Sequence, residues 1–402
     1  MGVGIPFLIG LFCIPIYSIN FSPEIQKVIF ELIALLSIFL LFDFGIAKSS
    51  IHLISKKVGI GNLNEAKIAS LETFSMSLML AIVVGFISFF VISNLSGLLF
   101  NRNFAFLISL AIFASILISS IRSIFEGFGD FKKSNLIRGL AISFIYISPT
   151  LPIIFKGFPI LDLILLSSSF TRLLVVLFGV FLLFRKDLII KNFSLKYNFA
   201  LLKNSVIISF SSIFIAFMLY MDRYFISHYL SIDESVTYMK IQEVVIRFLV
   251  ISGSFSAALY HQLSKKLGEK TQREIIQIYL SNSKKIYLLI ALCMLVLLFL
   301  YSFNDFVDFF PSFFSVNYDL IIIMLTGVIF LSFSTISQTV LYSIGEIKVL
   351  LKFHLFQLTL FFVFMELTYD KGLIAVGTLW MSRAIIDFVG NEIILRRKQF
   401  SG

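Results

Sequence analysis

The chain has 402 residues, of which 58% are hydrophobic and 14% charged, with a mean hydropathy of +0.98; ordinary globular domains carry about 25% charged residues. This composition excludes a water-soluble enzyme of two or three domains and defines an integral membrane protein, because twelve spans of about 20 residues use roughly 240 residues and leave no loop large enough for a soluble catalytic domain. The formal charge of +10 has to be tested against the rule that gathers Lys and Arg in cytoplasmic loops before nucleic acid is considered.

Taken in chain order, the N-terminus (Met1, Gly2, Val3, Gly4, Ile5, Pro6) has no basic lead and no cleavage site. It is read as the start of the first span and not as a signal peptide. Apolar stretches at about 3–20, 27–47, 69–94, 104–124, 139–156, 160–184, 204–229, 236–260, 286–304, 320–342, 349–367 and 372–394 predict twelve transmembrane helices. Pro6 and Pro15 in span one, and Pro149 and Pro152 in span five, remove backbone donors and should bend those helices. Cys13 and Cys293 both sit inside apolar runs. They read as buried small hydrophobes, with no disulfide framework and no metal site.

With Met1 in the cytoplasm, 24 of the 33 basic residues fall in cytoplasmic segments and five (Lys27, Arg102, Lys156, Arg223 and Lys371) on the opposite side. That asymmetry places both termini in the cytoplasm. The net charge is then mostly topology, and nucleic acid is not an expected partner.

Residues 21–57 align without gaps on residues 230–266, so that His52, Ser55, Lys56 and Lys57 fall on His261, Ser264, Lys265 and Lys266. A second echo places Gly129, Asp130, Phe131 and Lys132 over Gly345, Glu346, Ile347 and Lys348. Together they predict two six-helix halves, 1–184 and 204–402, joined by a basic cytoplasmic linker at 185–203. The expected fold class is all-α, with the halves arranged as a parallel repeat around a central cavity.

Three short segments carry a resemblance. Asp43-Phe44-Gly45-Ile46, followed by Lys56, Lys57 and Gly59, resembles the D-x-G segment of bacterial polysaccharide-unit flippases. Glu126-Gly127-Phe128-Gly129-Asp130-Phe131-Lys132 resembles their E-G-x-G-x-[FY] loop, and Asp222-Arg223-Tyr224-Phe225-Ile226 looks like their D-R-[FY] segment. The chain is thus similar to O-antigen flippases of the Wzx type, in the superfamily that includes multidrug and toxin extruders and lipid II flippases. The resemblance implies a flippase that carries undecaprenyl-diphosphate-linked oligosaccharide from the cytoplasmic to the periplasmic leaflet of the bacterial inner membrane. It implies lipid-linked oligosaccharide and membrane lipids as partners, with a polysaccharide polymerase and chain-length regulator as further candidates.

Four basic residues fall inside the spans: Arg172, Lys240, Arg247 and Arg383. A charge at mid-membrane costs about 2.5–3.5 kcal/mol even on insertion scales, so such residues face a polar interior. They are the candidate substrate-binding residues, through charge-assisted bonds to a diphosphate. Helical spacing places Lys240, Glu243, Arg247, Ser254 and His261 on one face of span eight, and pairs Glu243 with Arg247 and Arg383 with Asp387. Arg172 has no acidic neighbour at that spacing. Glu31, Glu243, Asp387, Asp222 and Arg223 are the candidates for ion coupling or gating, Glu31 as a counterpart of Lys240. The competing reading for each is a charge pair that stabilises helix packing or, for Asp222 and Arg223, an interfacial pair.

Catalytic motifs are absent: the chain has no phosphate-binding G-x-x-x-x-G-K-[ST] loop, no H-E-x-x-H and no cysteine cluster. Not an enzyme and without a cofactor is therefore the expectation. Rival functions are a multidrug or cation antiporter of the same superfamily and, in a different class, an O-antigen polymerase or lipid-sugar glycosyltransferase.

Overall fold

A computed structural model describes residues 4–41, 45–94, 102–155, 159–188, 199–266, 273–277, 279–281, 283–285, 287–288, 291–292 and 317–400. The described elements are helical throughout: α1 (Gly4–Asn20), α2 (Pro23–Leu41), α3 (Ile46–Gly59), α4 (Leu63–Asn94), α5 (Arg102–Gly127), α6 (Phe131–Ile147), α7 (Leu151–Ile154), α8 (Ile160–Arg185), α9 (Phe199–Tyr229), α10 (Ile232–Ile246) and α11 (Leu249–Lys266). Short helical stretches follow between 273 and 292, then α12 (Tyr318–Ser343), α13 (Ile347–Glu366) and α14 (Leu373–Phe400). Among the described residues eight helices are long and apolar enough to cross a bilayer, or nine if the bent pair α10 and α11 makes one span. Asp43, Phe44, Cys293, most of the basic linker and most of span nine lie outside the described residues.

The chain divides into two compact units, residues 1–13 with 32–213, and residues 14–31 with 214–402. In the first unit α5 is the central helix and packs against α3, α4, α6 and α8. Apolar on every side, it is buried on every side, and Ser109, Ser115, Ser119, Ser120 and Ser123 keep its neighbours close. A Cβ on Gly127 would lie 2.8 Å from Ile54 of α3, so the end of α5 passes against α3 with no room for a side chain. In the second unit α12 plays the same part, packed against α10, α11, α13 and α14.

The second of the two sequence echoes has a structural counterpart. Helix α5 ends with Gly129 at φ 79° and α12 with Gly345 at φ 85°. Asp130 N–H donates to Phe125 O and Gly129 N–H to Glu126 O, while Glu346 N–H donates to Leu341 O and Gly345 N–H to Tyr342 O. Each is a Schellman stop, in which a left-handed glycine turns the chain and satisfies the last carbonyls. Asp130 then caps α6 by accepting from Lys133 N–H at 3.3 Å. Buried Glu126 ties the two helices together, accepting from Arg122 at 3.2 Å and Ser134 at 2.5 Å.

One expectation about the spans changes. Span eight, expected as one helix over 236–260, breaks at Arg247–Phe248, and its halves are bent by 40°. No Gly or Pro is responsible. The Arg247 side chain donates from Nε to the Glu243 carbonyl at 3.0 Å, the acceptor its own amide would use in an unbroken helix. The backbone shifts to i−3 partners, Arg247 N–H to Val244 O and Phe248 N–H to Val245 O. Ser254 and His261 therefore do not continue the face of Lys240 and Glu243. In span two, expected over 27–47, α3 starts after Gly45 at φ 66°, and residues 42–44 lie outside the described residues. Of the proline positions, Ser148–Thr150 tightens into a 3-10 turn carrying Pro149, whereas Pro15 remains inside the single helix α1. Cys13 is buried.

Candidate functional site

All but one of the predicted site residues lie in the second unit. Asp222 and Arg223 occupy α9, Lys240 and Glu243 α10, and Arg383 and Asp387 α14, while Arg247 stands at the break after α10 and Glu31 near the end of α2's share of this unit. Arg172 belongs to α8 of the first unit.

Asp222 and Arg223 are not interfacial. They are 0% and 2% exposed, so Arg223 does not count among the bases of the outer face. A buried guanidinium needs a counter-charge and filled donors, and Arg223 has both: Glu243 at 2.7 Å, Gln242 at 2.5 Å and the Phe30 carbonyl at 3.3 Å. Asp222 accepts from Tyr238 at 2.6 Å, Gln242 at 2.5 Å and the Arg223 amide at 3.0 Å. Glu243 is thus shared, because its second oxygen lies 3.6 Å from Arg247 Nη2. The pairing expected from helical spacing exists, but the closer partner of Glu243 is Arg223.

Around Asp387 the arrangement is different. Its carboxylate accepts from Ser334 at 2.5 Å, Gln338 at 2.9 Å and, with the amide turned to suit, Gln357 at 2.9 Å; His354 lies 3.7 Å away. Neutral donors from α12 and α13 therefore hold this charge, and among the described residues Arg383 makes no ion pair within 4 Å with it. Arg383 instead stands over the Trp380 ring, 5.7 Å from its centroid. It is 6% exposed, and its Nε and Nη2 have no hydrogen-bond partner. A cavity of 290 Å³ between α13 and α14 has Arg383 in its wall, with Gln357, Phe361, Phe364, Ser382 and Ile386.

Arg172 also has unfilled donors. It is 1% exposed, Nη1 donates to Ser168 at 3.0 Å, and Nε and Nη2 have no hydrogen-bond partner. Lys240 is half-buried with Asp233 as its electrostatic neighbour, and no ion pair joins it to Glu31 among the described residues. No group of three or more metal-ligating side chains occurs among the described residues.

Sequence reasoning missed the neutral residues that hold these charges. Asn391, which donates to Ser334 at 2.9 Å, follows Asp387 by four positions, and Gln242 directly precedes Glu243. Amides at such spacing inside apolar runs were the available signal. Tyr238, Ser334 and Gln338 had none, since single polar residues are frequent in membrane helices.

This network of buried charge sits inside a fold that other proteins share. The chain is a multi-pass, all-α membrane protein with the fold of the multidrug and toxin extrusion (MATE) proteins. It superposes with a TM-score of 0.74 on a MATE solved in complex with MaL6, at 17% identity, covering 98% of this chain and 95% of that one. An outward-facing multidrug resistance MATE transporter of the MOP superfamily gives 0.72 at 15% identity, with 98% and 95% covered. A MOP superfamily transporter from Pyrococcus furiosus, described as having a binding pocket of reversed polarity, gives 0.74 at 16% identity over the same shares. In sequence the chain is similar to a Shigella flexneri protein named "Putative O-antigen transporter", 22% identical over 405 residues that cover 96% of this chain and 93% of that one. The resemblance to polysaccharide-unit flippases drawn from the three motifs thus extends over nearly the whole chain. No family model matches.

Proposed function

We propose that this protein is a flippase for undecaprenyl-diphosphate-linked oligosaccharide, an O-antigen or related repeat unit, moving it from the cytoplasmic to the periplasmic leaflet of a bacterial inner membrane by ion-coupled alternating access. The observation that carries the reading is Arg383: a buried guanidinium with two unfilled donors in the wall of a mostly apolar cavity. A cation so placed is costly until an anion fills its donors, and the apolar wall suits an amphiphilic anion better than a hydrophilic one. Arg172 repeats the unfilled donors in the first unit. The Shigella relative supports the polysaccharide class. Arg247 and Lys240 would assist as secondary cations. Asp387, Asp222 and Glu243 are the buried carboxylates available for proton or sodium coupling, with Glu31 and Arg223 in gating roles. Both termini are assigned to the cytoplasm on the distribution of Lys and Arg.

The test is deletion of the gene in its host. Loss of long surface polysaccharide with undecaprenyl-linked units accumulating on the cytoplasmic face is the expected result. Accumulation on the periplasmic face would indicate a polymerase. Unchanged polysaccharide with raised sensitivity to cationic dyes would indicate a drug exporter.

A further inference from the structure

The hairpin of α5 and α6 in the first unit carries two guanidiniums that the flippase reading leaves unused. Buried Glu126 fixes its register by accepting from Ser134 Oγ at 2.5 Å across the turn. From that contact the two helices run in opposite directions. Arg122 lies four residues back along α5 and Arg138 four residues on along α6, each about 6 Å from the contact along its helix. The hairpin therefore brings both guanidiniums to one level. Arg138 also belongs to the stripe of Ser134, Ile137 and Ala141 that α6 buries, so it starts from the packed side of the helix.

Charge at that level is out of balance. Arg122 Nη2 donates at 3.2 Å to the same Glu126 oxygen that Ser134 uses, while Arg122 Nε is buried without a hydrogen-bond partner. Arg138 makes no side-chain hydrogen bond and no ion pair among the described residues, and the charges that act on it are Arg122 and Glu126. Two cations thus share one carboxylate, and most of their N–H donors have no protein acceptor among the described residues. The carboxylates in and beside the turns at this end of the unit are committed elsewhere: Asp130 to Lys133, Glu65 to Lys57 and Asp187 to Lys67.

Both groups remain reachable, since Arg122 keeps 20% of its side chain exposed and Arg138 is half-buried. A cation that needs only water stands on the outer side of these helices, as Lys132 does. Placing two like charges together in a crevice is costly until an anion joins them. Phosphate fits that role best. One guanidinium fork fills the two oxygens of a carboxylate, whereas a tetrahedral phosphate presents oxygens to forks arriving from two helices.

We propose that Arg122 and Arg138 form a phosphate-binding site at the end of the first unit that the distribution of Lys and Arg assigns to the cytoplasm, with Glu126 as the positioning residue that holds Arg122. The chemistry is common to a phospholipid headgroup and to the diphosphate of a lipid-linked sugar, and only the second source rests on the flippase reading.

Thermal melting of the full-length protein, purified in maltoside detergent without phosphate, tests the site. Two probes are added at matched ionic strength: inorganic diphosphate, and phosphatidylglycerol against phosphatidylcholine as its control. A ligand that binds the folded state raises the melting temperature with concentration. At least one probe should do so, and Arg138→Gln should need at least about tenfold more of it, the loss expected on removing one charge-assisted bond. A response to diphosphate alone supports the site with a diphosphate ligand, and a response to phosphatidylglycerol supports it with a membrane headgroup. No response to either probe, or an undiminished response in Arg138→Gln, overturns the site. Should Arg138→Gln not fold, Arg138→Lys keeps the charge, loses the fork and should show a smaller loss of the same sign, and an undiminished response there overturns the site as well. The readout does not use transport, so a drug-exporter phenotype on deletion of the gene would leave this test intact.

Discussion

Arg247 takes with its side chain the carbonyl oxygen of Glu243, at 3.0 Å, that its backbone amide would otherwise use, and α10 stops there. The same glutamate balances Arg223 at 2.7 Å and lies 3.6 Å from Arg247. Arg247 thus sets the bend of the span through a main-chain carbonyl, while the Glu243 carboxylate sets the charge balance around it.

The first prediction separates those roles. Glu243→Leu leaves two buried guanidiniums without their shared carboxylate and should destabilise the protein by about 3–5 kcal/mol, the cost of breaking a buried pair from one side. Arg247→Leu removes a buried charge while Glu243 keeps Arg223, so it should cost much less. Melting temperatures of the purified variants in detergent decide, and equal losses would show that Glu243 serves only Arg247.

The second prediction concerns Gly45. It has φ 66°, and a Cβ there would fall 2.3 Å from the Ser205 carbonyl of α9. Gly61 also has a positive φ, 82°, with nothing within 4 Å of such a Cβ. Gly61→Ala should therefore cost only the left-handed penalty of about 1–2 kcal/mol, whereas Gly45→Ala adds a clash with backbone and should sharply lower the yield of folded protein. Comparable yields would mean that the close approach at Gly45 relaxes freely.

The third prediction is topological. Reporters fused after Arg397 should behave as cytoplasmic, and those inserted beside Asp370, in the turn between α13 and α14, as periplasmic, because Lys and Arg crowd the opposite ends of the spans. A periplasmic signal at Arg397 would require an odd number of spans.

Most of the helices could be read from apolar run length alone, since α5, α8 and α12 fall where uninterrupted hydrophobic stretches predict them. The stop at Gly129-Asp130 was legible too, because a glycine before a capping residue has a local meaning. The break at Arg247 was not, since its cause is a side-chain bond invisible to any periodicity. Helical spacing put Arg383 and Asp387 one turn apart on α14, yet it could not show that Ser334, Gln338 and Gln357 from other helices satisfy the aspartate while no ion pair within 4 Å joins the two. Which partner a buried charge takes depends on packing between helices, and one sequence does not encode that in its spacing.

The last prediction follows from that unequal satisfaction. With Asp387 held by neutral donors, Arg383 keeps a buried positive charge beside a cavity, steadied by the Trp380 ring. The ring face contributes about 0.5–2 kcal/mol, too little to offset burial of a cation, and under the proposed function an anion would supply the rest. Arg383→Gln should leave the protein in the membrane at normal abundance, because removing an incompletely satisfied charge relieves burial. Transport should nonetheless fall at least about tenfold, the loss expected on removing a charge-assisted bond worth about 1.5–3 kcal/mol. Arg383→Lys should retain part of the activity, keeping the charge but not the two-pronged geometry. Complementation of a deletion strain at matched expression, scored by surface polysaccharide, is the measurement. If Arg383→Gln complements fully, Arg383 is a packing residue and the anion must be sought at Arg172, whose Nε and Nη2 are likewise unfilled.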